Sequence, residues 1–119
     1  MTVTNTTRGR ALGARIRVAD RFWTRLRGLL GAAPLADGEG LLLAPCRSVH
    51  MLGMRFPLDV AFLGPDGAVV ATYHGLRPGA RSGWHRDART ALELPAGTLR
   101  RTDTREGDVL VWQDTGAVP

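Results

Sequence analysis

Short stretches in which apolar and polar residues alternate recur along the chain and predict β-strands. The first covers residues 12–18. The clearest pair covers residues 58–63 and 68–74, which a Pro-Asp-Gly hairpin turn joins at residues 65–67. Further strands are predicted at residues 41–43, 90–94 and 109–113, with one helical turn within residues 98–104.

One segment has a helical rather than a strand-like period. Asp20 is a suitable N-cap for a helix over residues 21–30, and Gly31 follows its end. Its apolar residues fill one arc of the helical wheel, while Arg21 and Arg27 lie on the other side. Such a helix could lie on an anionic membrane, but in a small domain packing on the protein's own sheet explains the pattern better. The element order predicts an α+β, mainly β fold: a small curled antiparallel sheet or barrel-like domain with one amphipathic helix near the N-terminus.

The length of 119 residues allows a single domain. We expect residues 1–10 to be a flexible polar tail, residues 11–114 to be globular and residues 115–119 to be frayed. The single cysteine cannot form an internal disulfide, and no apolar run resembles a signal peptide or reaches membrane-spanning length. These features predict a cytoplasmic protein without a membrane span.

The charge balance permits polyanion binding without requiring it. The net charge is +5, and all 16 cationic side chains are arginines, spread from Arg8 to Arg105. The connection at residues 75–90 interleaves arginines with an aromatic residue, as stacking on bases and contact with phosphates would need. Its candidate polyanion contacts are Arg77, Arg81, Trp84 and Arg86. A solvated basic loop or a loop that contacts a protein partner is the commoner use of such a segment, so we favour these over nucleic acid.

The motifs of metalloproteases, serine hydrolases and phosphate-binding loops are absent from the sequence. Cys46 and His50 are four residues apart, with Met51 and Met54 nearby, which is a soft set of donors for copper or zinc. A structural zinc site needs about four ligands. Packing therefore explains these residues better than metal binding, and no cofactor is expected. A thiol nucleophile at Cys46 with His50 as its base is a second interpretation.

Two acidic residues lie within apolar strand sequences. Asp59 lies in PLDVAFL and Glu93 in LELPAG, so both are expected to be buried and to need partners. Arg25, Arg55 or backbone N–H groups could stabilise Asp59. The two acids are either structural anchors, which we favour, or a pair of carboxylates across a pocket.

Several of these segments together resemble a known family. RLRGLLG at residues 25–31, the block from Cys46 to Val70, ALELPAG at residues 91–97 and the Gly107-Asp108 turn occur in one order. This order is similar to that of the uncharacterised ACR family, domain of unknown function number 192, over about residues 12–112. The resemblance implies a compact, mostly β fold with a helix near the start, and it implies no established activity, cofactor or partner. Of the motif positions that carry over, four could do chemistry: Arg25, His50, Asp59 and Glu93.

The biochemical function is therefore not assigned by the sequence. The leading hypothesis is a non-catalytic binding or assembly module with a small pocket near His50, Met54, Asp59 and Glu93, with Arg25 beside it. The alternatives are a small hydrolase-like or thiol-dependent enzyme that uses Asp59 with Glu93 or Cys46 with His50, a soft-metal protein, and polyanion binding through residues 75–90.

Overall fold

The computed structural model describes residues 1–19 and 34–114. Within them the chain forms eight strands and one short helix. The strands are β1 (Thr2–Asn5), β2 (Arg10–Gly13), β3 (Arg15–Ala19), β4 (Glu39–Leu43), β5 (Leu58–Leu63), β6 (Val69–Leu76), β7 (Thr90–Pro95) and β8 (Leu110–Gln113), and the helix is α1 (Thr98–Arg101). The mainly β prediction is confirmed.

The described strands form two sheets. One has three antiparallel strands in the order β2-β1-β8, and the other has five in the order β3-β4-β7-β5-β6. Neither closes into a barrel, so the barrel-like alternative is wrong. The expectation of a wholly antiparallel sheet also fails at one edge, because β3 and β4 are parallel. Residues 20–38 separate these two strands, and a parallel pair needs a connection of about a dozen residues or more.

The structure differs from two predictions about the N-terminal part of the chain. Residues 1–10, expected to be a flexible tail, contain β1, which pairs with both β2 and β8 and buries Val3 completely. The single strand predicted at residues 12–18 is divided between β2 and β3, which belong to different sheets. The predicted helix at residues 21–30, with Arg25 on it, lies outside the described residues.

The five-stranded sheet carries an apolar cluster on each face. One cluster contains Leu92 and Leu94 of β7 and joins the five-stranded sheet to Val3, Leu12 and Leu110 of the smaller one. The other contains residues from β5, β6 and β7 together with loop residues: Val49, Val60, Phe62, Ala71, Ala88 and Ala91. All six residues of β5 are consequently buried, on both faces of the strand. A strand covered on both faces loses the one-sided pattern of a solvated sheet.

None of the helices in the described part of the chain is both long and apolar enough to span a membrane.

Candidate functional site

Two loops, one before β5 and one after β6, run side by side as a short two-stranded ribbon. We call residues 48–52 and 79–83 the loop ribbon. The Met51 N–H donates to the Ala80 carbonyl at 2.7 Å, and the Ser82 N–H donates to the Val49 carbonyl at 2.9 Å. These two bonds flank the antiparallel bridge between His50 and Arg81. The ribbon joins segments that are about 30 residues apart in the sequence.

The loop ribbon has an inner and an outer face, as strand geometry requires. Val49, Met51 and Ser82 are buried on the inner face. The outer face carries exposed residues from both segments: Ser48, His50, Leu52, Gly79, Arg81 and Gly83. The stretch Ser-Val-His-Met-Leu thus alternates with a period of two, which places Ser48 and Leu52 beside His50.

His50 and Arg81 lie next to each other on the outer face. Because the backbone bonds flank this pair rather than join it, the two residues form a non-hydrogen-bonded pair, with their Cα atoms about 4.5 Å apart in regular geometry. Side chains in such a pair are the closest neighbours across a ribbon. They border a groove of about 320 Å³ lined by Ser48, Val49, His50, Leu52, Gly79, Ala80, Arg81 and Ser82.

Hydrogen bonds hold the ribbon in place from beneath. Ser82 Oγ accepts the Val49 N–H at 2.9 Å and donates to the Gly83 carbonyl at 2.9 Å. The Tyr73 hydroxyl of β6 accepts the Gly83 N–H at 2.9 Å and lies 2.7 Å from His85 Nε2. Both rings pack against Phe62. The groove is therefore preorganised by a polar and aromatic support that continues into the core.

The residues of the connection at 75–90 that lie outside the loop ribbon do not line the groove. Arg77, Trp84 and Arg86 are exposed, and only Arg81 among the predicted polyanion contacts borders the groove. The Arg86 carbonyl accepts a hydrogen bond from Arg47 Nε at 3.3 Å. Met54, predicted to be part of the pocket, is half-buried in the turn that follows the ribbon.

Asp59 serves as a buried anchor in β5. Its Oδ1 accepts the Gly75 N–H at 2.8 Å, while its Oδ2 accepts the N–H groups of Gly97 at 3.0 Å and Leu99 at 2.9 Å. The side chain has no solvent-exposed surface. It therefore ties β6 and the start of α1 to the central sheet, as the structural interpretation of this acid expected.

Glu93 is also completely buried, but it does not meet Asp59. In the β5–β7 register, Asp59 is opposite Leu94 and Val60 is opposite Glu93. Paired residues share a face and successive residues alternate between faces. The two carboxylates thus point to opposite sides of the sheet, and the predicted carboxylate pair across a pocket is wrong.

Cys46 is half-buried beside the ribbon. Its N–H donates to the Arg89 carbonyl at 2.9 Å and its thiol donates to the Ser48 carbonyl at 3.1 Å. Across residues 1–19 and 34–114, no three side chains of His, Cys, Asp or Glu gather in a group that could hold a metal ion. The spacing of Cys46 and His50 would place both side chains on one face only in a helical turn, whereas residues 46–50 are not helical.

The sequence interpretation missed Ser48, Leu52, Gly79 and Gly83 as neighbours of His50. The alternation at residues 48–52 could have indicated the first two. Nothing local indicated that residues 79–83 form the second half of the ribbon.

A second polar cluster lies where β1 ends, around Asp108. Buried Asp108 accepts three hydrogen bonds at Oδ2, from Asn5 Nδ2 at 2.9 Å, Arg8 Nε at 3.0 Å and the Arg105 N–H at 3.0 Å. Burial by itself raises the pKa of this carboxyl. The hydrogen bonds from Arg8, Asn5 and the Arg105 backbone outweigh it and lower the pKa of Asp108 from 3.8 to about 2.

This shift predicts an acid-dependent loss of stability. A carboxyl whose pKa is lower in the folded state binds fewer protons there, so its contribution is complete above about pH 5 and is lost as the pH falls through about 2. We expect Asp108→Asn to lower the free energy of unfolding at pH 7 by about 1–3 kcal/mol. The difference between wild type and variant should shrink between about pH 4 and pH 2. Urea unfolding of wild type and variant at several pH values measures this difference in the free energy of unfolding. A difference that stays constant down to about pH 2 would contradict the lowered pKa of Asp108.

The fold and the groove define a mainly β domain of two sheets, with a surface site built from loops. The sequence also matches a known protein family. The model of the uncharacterised ACR family, domain of unknown function 192, matches residues 3–112, so the chain belongs to that family. A UPF0127 protein of Pyrococcus furiosus is 32% identical over 111 residues, covering 91% of this chain and 95% of its own. A UPF0127 protein of Thermococcus gammatolerans is 29% identical over 123 residues, covering 95% and 76%. The family resemblance noted in the sequence is confirmed.

Two solved structures share the fold. A protein of unknown function from Novosphingobium aromaticivorans superimposes with a TM-score of 0.73 at 24% identity, covering 93% of this chain and 82% of its own. A putative transcription regulator from Sinorhizobium meliloti gives a TM-score of 0.70 at 26% identity, covering 92% and 89%. No specific biochemical function for this chain follows from the family or from these neighbours.

Proposed function

We propose that the protein is a non-catalytic binding module and that its ligand binds on the outer face of the loop ribbon. The observation that carries the proposal is the exposed His50–Arg81 pair beside a groove of about 320 Å³. Neither side chain has a hydrogen bond or ion pair to the residues that the structure describes. Two adjacent basic side chains without a compensating acid favour a ligand that supplies the missing charge.

The sealed position of Asp59 supports binding over catalysis by this acid. Both carboxylate oxygens of Asp59 are used by backbone N–H groups, and the side chain is sealed from solvent. A general base must reach the proton that it removes, which a sealed carboxylate does not. The label of the Sinorhizobium meliloti neighbour, a putative transcription regulator, is compatible with a role that depends on binding.

The proposal is tested by localising ligand contacts at residue level. We expect a panel of carboxylates, phosphates and short peptides, titrated into ¹⁵N-labelled protein, to shift the amide resonances of residues 48–52 and 79–83 most. The shifts should be lost in Leu52→Ala and kept in Val111→Ala, which shortens an exposed apolar side chain on β8. Shifts that cluster elsewhere, or turnover of a panel compound that depends on Asp59, would overturn the proposal.

A further inference from the structure

We infer that the loop ribbon recognises an acidic, extended segment of a partner protein, in which a carboxylate pairs with His50 and Arg81 and an apolar side chain two residues away packs on Leu52. This inference rests on the proposed function and specifies the partner of the same site. Four features of the ribbon and its surroundings support it.

The two segments that build the groove are rich in arginine and poor in acids. Residues 44–58 and 67–86 contain no Asp or Glu, although both stretches contain arginines. The exposed arginines of these stretches are Arg47, Arg55, Arg77, Arg81 and Arg86. By contrast, the arginines near β8 have acidic partners: Arg8 pairs with Asp108 at 3.0 Å, and Arg105 pairs with Asp103 at 2.8 Å. The charge at the ribbon is therefore left for an acidic ligand to complement.

The ribbon and the residue that follows it, Trp84, also expose apolar surface. Leu52 is 79% exposed and Trp84 is 71% exposed, more than any other large apolar side chain in the described residues. Apolar side chains in this state gain about 25 cal/mol per Å² when a ligand covers them. The ligand should therefore carry apolar as well as acidic groups.

The spacing on the ribbon matches that of an extended peptide. His50 and Leu52 are alternate residues separated by Met51, whose N–H and carbonyl both bond to the opposite segment, and Leu52 begins the turn from Met51 to Met54. In strand-like geometry alternate residues are about 7 Å apart. Alternate side chains of a bound extended peptide have the same spacing. In a peptide with the sequence acid-x-apolar, the acid can therefore contact His50 and Arg81 while the apolar residue contacts Leu52. Arginine suits this role because its planar guanidinium can bind a carboxylate through two parallel hydrogen bonds.

The size of the groove favours one or two side chains over a large cofactor as occupant. A groove of about 320 Å³ is at the lower end of the range for small-molecule sites, roughly 300–1,000 Å³, and holds one or two side chains. Single-stranded nucleic acid would use aromatic stacking platforms. The exposed Trp84 does not line the groove, and the residue that lines it beside the basic pair is the aliphatic Leu52. A peptide side chain fits this arrangement better than a base.

The test uses three fluorescent probes with the full chain. They are a capped peptide in which Glu and Leu recur two residues apart in a Gly/Ser background, the same peptide with Gln for Glu, and a thymidine oligonucleotide of equal charge. Fluorescence anisotropy should show binding of the Glu peptide that weakens as NaCl rises from about 50 to 150 mM. The Gln peptide should bind at least about tenfold more weakly.

Variants assign the contacts. Arg81→Gln and Leu52→Ala should each weaken binding of the Glu peptide about tenfold, whereas Arg100→Gln, which removes the same charge from an exposed position on α1, should leave it within about twofold. All three positions are exposed, and unchanged thermal unfolding verifies folding. Equal binding of the Glu and Gln peptides, or an equal effect of Arg81→Gln and Arg100→Gln, would overturn the inference.

Two further outcomes separate this inference from the proposed function. Preferential binding of the oligonucleotide, weakened by Arg81→Gln, would overturn the acidic-segment inference and leave the ribbon as a binding site. Dimerisation of the protein that Leu52→Ala abolishes, without peptide binding, would replace the foreign partner by a second copy of this chain. If no probe binds and the amide resonances of the ribbon do not respond to any panel compound, both proposals fail.

Discussion

Asp59→Asn is expected to lower the free energy of unfolding by about 3–4 kcal/mol, a large share of the roughly 5–15 kcal/mol that stabilises a domain. The carboxylate accepts three backbone N–H groups from β6, the start of α1 and the residue before it. An asparagine retains one acceptor oxygen and turns an NH₂ group toward N–H donors. At least one buried N–H then loses its partner, which costs more than the hydrogen bond contributed.

Chemical unfolding in urea, followed by far-ultraviolet circular dichroism, measures this change. The matched control is Asp87→Asn, the same substitution at an exposed position, which should change the free energy of unfolding by no more than about 0.5 kcal/mol. Equal midpoints for the two variants would show that Asp59 is not an anchor of the fold.

Gly67→Ala is expected to lower the free energy of unfolding by about 3 kcal/mol or more, for two combined reasons. Gly67 has a φ of +84° in the hairpin turn, a conformation that is unfavourable for a residue with a Cβ atom. A Cβ added there would also lie 2.6 Å from the Leu110 carbonyl oxygen, and this backbone atom belongs to β8. The backbone of the turn or of β8 must therefore move, which disturbs the contact between the two sheets.

Gly9→Ala separates the two causes. Gly9 has a φ of +67°, but nothing lies within 4 Å of an added Cβ, so only the conformational cost of about 1–2 kcal/mol applies. Thermal and urea unfolding of both variants should rank Gly67→Ala as clearly less stable than Gly9→Ala. The reverse order, or equal values, would contradict the close approach between the turn and β8.

The local patterns predicted much of the secondary structure. The strand at residues 58–63 is found with the predicted bounds, and the Pro-Asp-Gly turn after it joins β5 to β6. The helical turn within residues 98–104 corresponds to α1. These elements depend on turn residues and on alternation over a few positions, which a sequence displays directly.

The candidate site was predicted only in part, because its halves are distant in sequence. His50 was singled out with Cys46 and Met54 as near neighbours along the chain, and Arg81 was singled out separately as a member of a basic loop. Their meeting depends on backbone hydrogen bonds between two loops that local patterns do not encode. The separation of Asp59 from Glu93 likewise depends on the β5–β7 register, in which a shift of one residue would reverse the faces.

The sequence by itself determined the mainly β class, the family, and the need of Asp59 for a buried partner, because composition, turn residues and motif order are properties of short segments. Only the tertiary structure decided which partners satisfy Asp59, namely N–H groups located 16, 38 and 40 residues away. It also decided that His50 pairs with Arg81 on an exposed ribbon rather than with Cys46 around a metal. Both outcomes depend on contacts between distant segments, which form when the two faces of the five-stranded sheet are covered and the connecting loops are brought together.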